Sequence, residues 1–243
     1  MRLTRVYVEE PLACGTACLL RGSAANHVTR VLRLKEGDML TLFDGRGGEY
    51  IAQIQERRAN AMLAEVQEHR PIERESRLEL TLAQGISRGE RMDLVVQKAT
   101  ELGVRRIVPV LAARSVVRLD ERQEQKKLAH WRAIAVAACE QSGRNRVPEV
   151  TAAATLNELL ATLSPDSTRV LLSPTGTLSA RDLAPLAGPL TVLIGPEGGL
   201  TDAEQEAAVS AGFMRMRLGP RVLRTETAAL AALAALQHDF GDL

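Results

Sequence analysis

Aromatic residues are scarce: three phenylalanines, two tyrosines and one tryptophan supply only 2% of the 243 residues. A core made without them must be packed from Leu, Val, Ile and Ala, and the 45% hydrophobic content is enough for that. Cysteine is almost as rare. Cys14, Cys18 and Cys139 are odd in number and follow no regular framework, which excludes a disulfide scaffold and points to a reducing compartment. The four histidines, at 27, 69, 130 and 238, are scattered, and no later pair matches Cys14 and Cys18, so no metal site is expected. No apolar run is long enough to cross a bilayer. The opening MRLTRVYVEE lacks the pattern of a secretory leader. The expectation is a cytoplasmic protein that uses neither membrane nor metal. A G-x-G-x-x-G loop is also missing, which argues against a Rossmann-type nucleotide site.

Charge is balanced overall at +1, but not along the chain. Residues 85–150 hold 13 Lys or Arg against 8 Asp or Glu, and residues 151–243 hold 6 against 10. A basic middle on a neutral chain suits a polyanion-facing patch, although solvated helix faces give the same pattern.

The first 70 residues read as a small strand-rich unit. Strands are expected from Arg2 to Val8, Met39 to Phe43, Glu49 to Gln55 and Ala61 to Glu68, with a short helix from Asn26 to Leu34. The loop 44–48, Asp-Gly-Arg-Gly-Gly, supplies residues suited to positive φ. The segment His69–Ser76 is polar and contains Pro71; residues 71–76 are taken as a linker between a unit at 1–70 and one at 77–243. Beyond it, strands and helices alternate. Strands are read at 78–83, 106–110, 169–172, 190–194 and 213–218; helices at 91–102, 121–139, 156–163, 202–211 and 225–236. Met92, Val95, Val96, Ala99 and Leu102 make one apolar stripe, and Gly103 stops that helix. This order is that of an α/β domain with a parallel sheet. Trp131 is read as packing rather than as a base-stacking platform.

The chemistry is expected between residues 190 and 230. The buried run Leu190–Ile194 stops on Gly195-Pro196-Glu197-Gly198-Gly199, whose adjacent glycines let backbone approach a ligand closely. Thr201 and Glu204 make a capping box for the next helix. A second strand ends at Gly219 and feeds the charged loop Arg221–Glu226. Each loop alone is an ordinary βα turn. Two in one segment, with Glu197, Arg221, Arg224 and Glu226 nearby, make a site beyond the carboxyl ends of the strands.

GPEGG followed by LGPRVLRTETAAL resembles the C-terminal signature of the SPOUT superfamily, and is similar to that of the 16S ribosomal RNA uridine N3-methyltransferases of RsmE type. Gln97–Val104, Glu140–Arg144 and Val31-Leu32-Arg33 resemble blocks of the same family, so the likeness runs in order over nearly the whole chain. It implies a C-terminal knotted α/β domain, with the last segment threaded into a trefoil knot, behind an N-terminal PUA-like barrel that helps to hold RNA. Nothing in the periodicity shows a knot, and general rules disfavour one. The implied cofactor is S-adenosylmethionine. The implied partners are 16S rRNA in the assembled small ribosomal subunit and a second copy of the chain, joined through the C-terminal domain with the helix at 227–240 as the interface. One departure is Asn26-His27-Val28, where many relatives have two histidines.

Under this resemblance the cofactor would lie among Leu172, Ile194, Gly195, Pro196, Glu197, Gly198, Gly199, Leu218, Gly219, Val222, Leu223 and Arg224. The loop Ser173–Gly176 resembles the first of the superfamily's three cofactor loops. N3 of uridine is a poor nucleophile until its proton leaves, so a base and an anion stabiliser are needed. Arg224 and Arg221 are candidates for the uracil anion or a phosphate, and Glu197 and Glu226 for the base or an organising acceptor. Glu226 could equally brace the final helix. Arg5, Arg30, Arg33, Arg114, Arg118 and Arg144 are the candidates for RNA, with Arg2 and Arg46 as further basic residues. Two rival readings remain: a SPOUT methyltransferase with another RNA target, and a module that binds ribosomal RNA without chemistry. The asparagine-led N-x-G-x-x-x-R block of ribose-methylating relatives is absent after the strand at 78–83.

Overall fold

A computed structural model describes residues 4–26, 28–29, 33–59, 61–115, 120–186 and 188–243. Arg2, His27, Arg30, Val31, Leu32 and Arg118 lie outside the described residues, and with them four of the nine residues of the helix expected at 26–34. The chain divides into two compact units, one of residues 1–75 with 139–147, the other of residues 76–138 with 148–243.

The first unit is a five-stranded sheet. Its strands are β1 (Arg5–Tyr7), β2 (Ala17–Arg21), β3 (Met39–Phe43), β4 (Glu49–Arg58) and β5 (Ala61–Arg70), in the order β1-β3-β4-β5-β2. β1 runs parallel to β3 and the other pairs are antiparallel. Leu40, Leu42, Ile54, Met62, Ala64 and Val66 alternate inward and close a dry core with Val6 and Leu20. Two register shifts bend β4 against β5. No pairing joins β1 to β2 among the described residues, so the expected barrel is a partial one. The short helix lies at α1 (Gly22–Asn26), directly after β2, and neither of these elements was predicted.

Residues 71–76 are firmly held, unlike the loose linker that their composition suggests. Asn145 donates to the Ile72 carbonyl, and Glu75 and Glu73 accept from Arg144 and Arg146. Ser76 is 2% exposed and donates to Gln237. The partners lie about 70 residues or more away in sequence, so local composition could not show them.

The second unit holds β6 (Leu80–Gly85), α2 (Arg91–Glu101), β7 (Arg106–Leu111), most of α3 (Glu121–Ser142), β8 (Glu149–Val150), β9 (Ala154–Thr155), α4 (Leu156–Ala161), β10 (Thr168–Leu172), β11 (Leu190–Ile194), α5 (Asp202–Ser210), β12 (Met214–Met216) and α6 (Thr225–Phe240). The sheet runs β12-β10-β11-β6-β7-β8, with β9 also on β7, and all its pairs are parallel. β11 is buried at every position, as its unbroken apolar run requires. The α2 stripe is buried at Met92, Val95, Val96 and Ala99. Thr201 and Glu204 form the expected capping box on α5. Trp131 is 2% exposed and donates to Asp93, which fits the packing role read for it.

The cysteines give a direct check on burial. Cys18 and Cys139 are buried, and desolvation pushes their thiols up to about 11 and about 12. Cys14 is exposed. At pH 8 the folded protein should therefore react with one equivalent of a thiol reagent, at Cys14, and with three after unfolding. Labelling of Cys139 in the native state would contradict this packing.

Candidate active site

The parallel sheet delivers three strand ends to one place. β6, β10 and β11 end side by side at Gly85, Leu172 and Ile194; the loops after β10 and β11 line one space with the loop between β12 and α6, joined by Arg91 at the start of the helix that follows β6. These loops bound a cavity of about 710 Å³, within the range of small-molecule sites. Of the residues proposed from sequence, Leu172, Ile194, Gly195, Pro196, Glu197, Gly199, Leu218, Gly219, Arg221, Val222, Leu223, Arg224, Glu226 and Arg114 all line it. Segments up to 137 residues apart in sequence, from Arg91 to Ala228, therefore converge on one space.

Gly198 is not in the lining. A Cβ there would stand 3.0 Å from Arg114 Cβ and 3.2 Å from the Arg114 carbonyl. The 112–115 turn packs closely on the loop here and leaves little room for a side chain. Gly85 obeys a similar constraint: an added Cβ would lie 2.5 Å from Pro196 Cδ. The end of β6 and the GPEGG loop are thus in direct backbone contact.

The final loop is tied down by Thr225. Its hydroxyl donates to the Gly195 carbonyl at 2.7 Å and accepts from Gln84 Nε2 at 2.9 Å. Gln84 is fully buried. One hydroxyl thereby joins the start of α6 to the ends of β6 and β11. Sequence reasoning missed this lock, because Gln84 reads as a polar loop residue while it is in fact the penultimate residue of β6.

Charge in the cavity is uneven. Five arginines line it (Arg91, Arg114, Arg217, Arg221 and Arg224) against two carboxylates, Glu197 and Glu226. Arg91 and Arg217 were not foreseen. Arg91 begins α2, and its place in the charged run Arg88-Gly89-Glu90-Arg91 after a strand end was the available signal. It donates to Glu197 Oε1 at 2.7 Å, and its Nε lies 3.8 Å from Glu226 Oε1. Glu197 Oε1 also accepts from the Arg88 backbone N–H at 2.9 Å. Burial pushes the Glu197 carboxyl up, but hydrogen bonds from the Arg88 N–H, its own N–H and Arg91 outweigh burial and hold it below the usual range. Arg114 reaches toward the carbonyls of Gly198 and Leu200, at 3.4 and 3.5 Å. Arg217, Arg221 and Arg224 are exposed and have no side-chain partner among the described residues.

Two arginines assigned to RNA from sequence have another place. Arg5 is 6% exposed; it pairs with Glu49 and donates to Asn145 Oδ1 at 2.6 Å. Arg144 is 3% exposed and grips Glu75 through both Nε, at 3.0 Å, and Nη2, at 2.5 Å. Both guanidiniums are spent inside the first unit, and their acidic partners are too distant in sequence to be paired by eye. Arg33 is exposed and, alone among the described non-glycine residues, has a positive φ of 54°.

Comparison with known proteins agrees with this geometry. Residues 74–237 match the model of an RNA methyltransferase domain, and residues 20–67 that of an RNA methyltransferase PUA domain. Over 98% of its length the chain is 34% identical to the ribosomal RNA small subunit methyltransferase E of Bacillus subtilis, covering 94% of that protein. The chain belongs to the family of ribosomal RNA small subunit methyltransferase E, in the SPOUT superfamily. A member from Buchnera aphidicola is 32% identical over 100% of this chain and 98% of its own. Among solved structures, the family member from Neisseria gonorrhoeae, bound to S-adenosyl methionine, is 38% identical with a TM-score of 0.93, each chain covered in full. A methyltransferase from Legionella pneumophila in complex with the same cofactor reaches a TM-score of 0.96 at 38% identity, again over both full chains. The fold is accordingly a SPOUT-type parallel sheet with an N-terminal PUA-like partial barrel. No cluster of metal-binding side chains occurs among the described residues, and no helix there is long and apolar enough to cross a membrane.

Proposed function

We propose that this protein methylates N3 of a uridine in 16S rRNA within the small ribosomal subunit, using S-adenosylmethionine. The observation that carries the reading is the cavity at the ends of β6, β10 and β11, where apolar walls meet unpartnered arginines and two carboxylates. The residues suit the cofactor. Leu172, Ile194, Leu218 and Leu223 offer apolar surface for the adenine, and the glycine-rich turns at 195–199 and 219 bring backbone donors and acceptors to its polar edge. Glu197 and Glu226 supply negative charge against its positive sulfonium. When bound, the cofactor supplies an electrophilic methyl group.

The chain's own groups supply the rest. Arg224 and Arg221 are free to donate to O2 and O4 of the uracil and so stabilise the charge left when the N3 proton departs. A carboxylate, Glu197 or Glu226, takes that proton. Arg217 and Arg114 extend the positive rim toward phosphate, and Arg33 and Arg46, both exposed, are the basic residues proposed to hold RNA in the first unit. The likeness of the last segment to its family supports a trefoil knot around the Thr225 lock. A homodimer is supported by α6, whose Leu230, Ala231, Ala234 and Ala235 are incompletely buried in the single chain.

The test is to incubate the protein with labelled S-adenosylmethionine and small subunits from a strain lacking the matching enzyme, then digest the RNA and identify the nucleoside by mass spectrometry. N3-methyluridine at one position is expected. Transfer to tRNA or to another atom would overturn the target, and neither cofactor binding nor transfer by folded protein would favour a binding module.

A further inference from the structure

The two carboxylates in the cavity are chemically unlike, and the difference separates their roles. Glu197 is engaged by donors: the Arg88 N–H and the Arg91 guanidinium both bond to its Oε1. A carboxylate whose lone pairs are engaged by a cation and an amide is a poor proton acceptor and a good brace. It ties the GPEGG loop to the start of α2. Glu226 stands differently. It sits in the first turn of α6, where free backbone N–H groups would normally attract an acid, yet its Oε2 is buried and has no hydrogen-bond partner. Its other oxygen lies 3.8 Å from Arg91 Nε, beyond hydrogen-bonding distance. A hydrogen-bonded cap is therefore not the role that Glu226 plays here.

We propose that Glu226 is the group that accepts the substrate proton, and that Arg91 is a positioning residue that fixes Glu197 with one end of its guanidinium and sets the Glu226 carboxylate over the cavity with the other. This rests on the methyltransferase reading above. In the reaction the N3–H bond breaks and its proton passes to a Glu226 oxygen. The N3 electron pair forms the bond to the methyl carbon as the carbon–sulfur bond breaks, and the carbon–sulfur bonding pair stays on sulfur. Charge balances: one anionic carboxylate and one sulfonium become a carboxylic acid and a thioether. The charged groups around Glu226 are Arg91 from α2, Glu197 from the loop after β11, and Arg221 and Arg224 from the segment leading into α6. A carboxylate held only by a 3.8 Å ion pair with Arg91, with no hydrogen bond at Oε2, keeps its lone pairs for the incoming N–H. Arg91 is 43% exposed at its side chain, so it can shift slightly when a base enters without breaking a core contact.

Two independent readouts test this: single-turnover methyl transfer to unmethylated small subunits at saturating cofactor, and cofactor affinity by calorimetry without RNA. Glu226→Gln should lose about 10²- to 10⁴-fold in rate and leave cofactor affinity within about threefold of wild type, since only the proton acceptor is gone. Glu226→Asp, which keeps a carboxylate, should retain more rate than Glu226→Gln. Glu197→Gln should do the reverse and weaken cofactor binding more than the saturated rate. Arg91→Met should lower both, Arg91→Lys should recover part of each, and Arg91→Met should cost no further rate in a Glu226→Gln background. If wild-type protein methylates N3 and Glu226→Gln keeps the full rate, the assignment is wrong. Equally, a rate loss confined to Glu197→Gln would exchange the two roles. Wild-type protein that leaves the subunits unmethylated would instead overturn the reaction reading itself.

Discussion

A Gly85→Ala protein should bind S-adenosylmethionine on the order of 100-fold more weakly than wild type. Gly85 ends β6, and the added methyl carbon would stand 2.5 Å from Pro196 Cδ, 2.7 Å from the Gly195 carbonyl carbon and closer still to the Pro196 nitrogen. Three of the obstacles are therefore backbone or a ring fused to it, and no flexible side chain can swing aside. The loop is folded closely on itself, since a Cβ built at Gly195 would lie 3.0 Å from the Leu200 nitrogen, so it moves as a unit. Relief must come from pushing the GPEGG loop off β6, which opens the Thr225 bond to Gly195 and displaces Glu197 from Arg88. Overpacking of this kind costs about 1–3 kcal/mol. If most of that is recovered by giving up the bound geometry of the loop, the loss falls on cofactor affinity more than on folding. Calorimetric titration with the cofactor, beside a thermal unfolding scan, separates the two. An alanine variant that binds as wild type does would mean that β6 and the loop part freely, and would remove the structural reason for a glycine there.

The same contact shows what a sequence can and cannot disclose. Strands such as Leu190–Ile194 and the α2 stripe were legible because burial on both faces, or on one, writes a local pattern. The cavity was legible in part for the same reason: its longest stretches, 194–199 and 218–226, are continuous in the chain, and loops beyond parallel strand ends are where ligands go. Arg91 was not legible as a site residue. Its role depends on β6 lying beside β11 in the sheet, and strand order leaves no local trace. The Gln84–Thr225 bond fails to show for the same reason, across 141 positions. The burial and pairing of Arg5 and Arg144 were hidden in the same way. An arginine near basic neighbours looks free for phosphate until its acid is found, and here the acids arrive from β4 and from residue 75. The short strands β8 and β9, of two residues each and both paired with β7, are too brief to carry any periodicity.

That reassignment of Arg144 makes a second large effect measurable. Its guanidinium and the Glu75 carboxylate are 4% and 10% exposed at their side chains and form a two-pronged bond, so neither can be left alone without an unpaired buried charge. Arg144→Met should cost about 3–5 kcal/mol and lower the melting midpoint of the first unit by on the order of 10 °C. The next arginine is a control built into the same turn. Arg146 pairs with Glu73 at 3.3 Å, but the two side chains are 56% and 39% exposed. Water screens that pair, and Arg146→Met should change stability by less than about 1 kcal/mol. The double replacement Arg144→Met with Glu75→Leu should recover most of what Arg144→Met loses, because it removes both charges and refills their volume. Recovery would show that the pair is there to neutralise itself and not to meet RNA. If Arg144→Met instead leaves stability intact and weakens binding to small subunits, the arginine reaches RNA after all, and its bond to Glu75 gives way when RNA arrives.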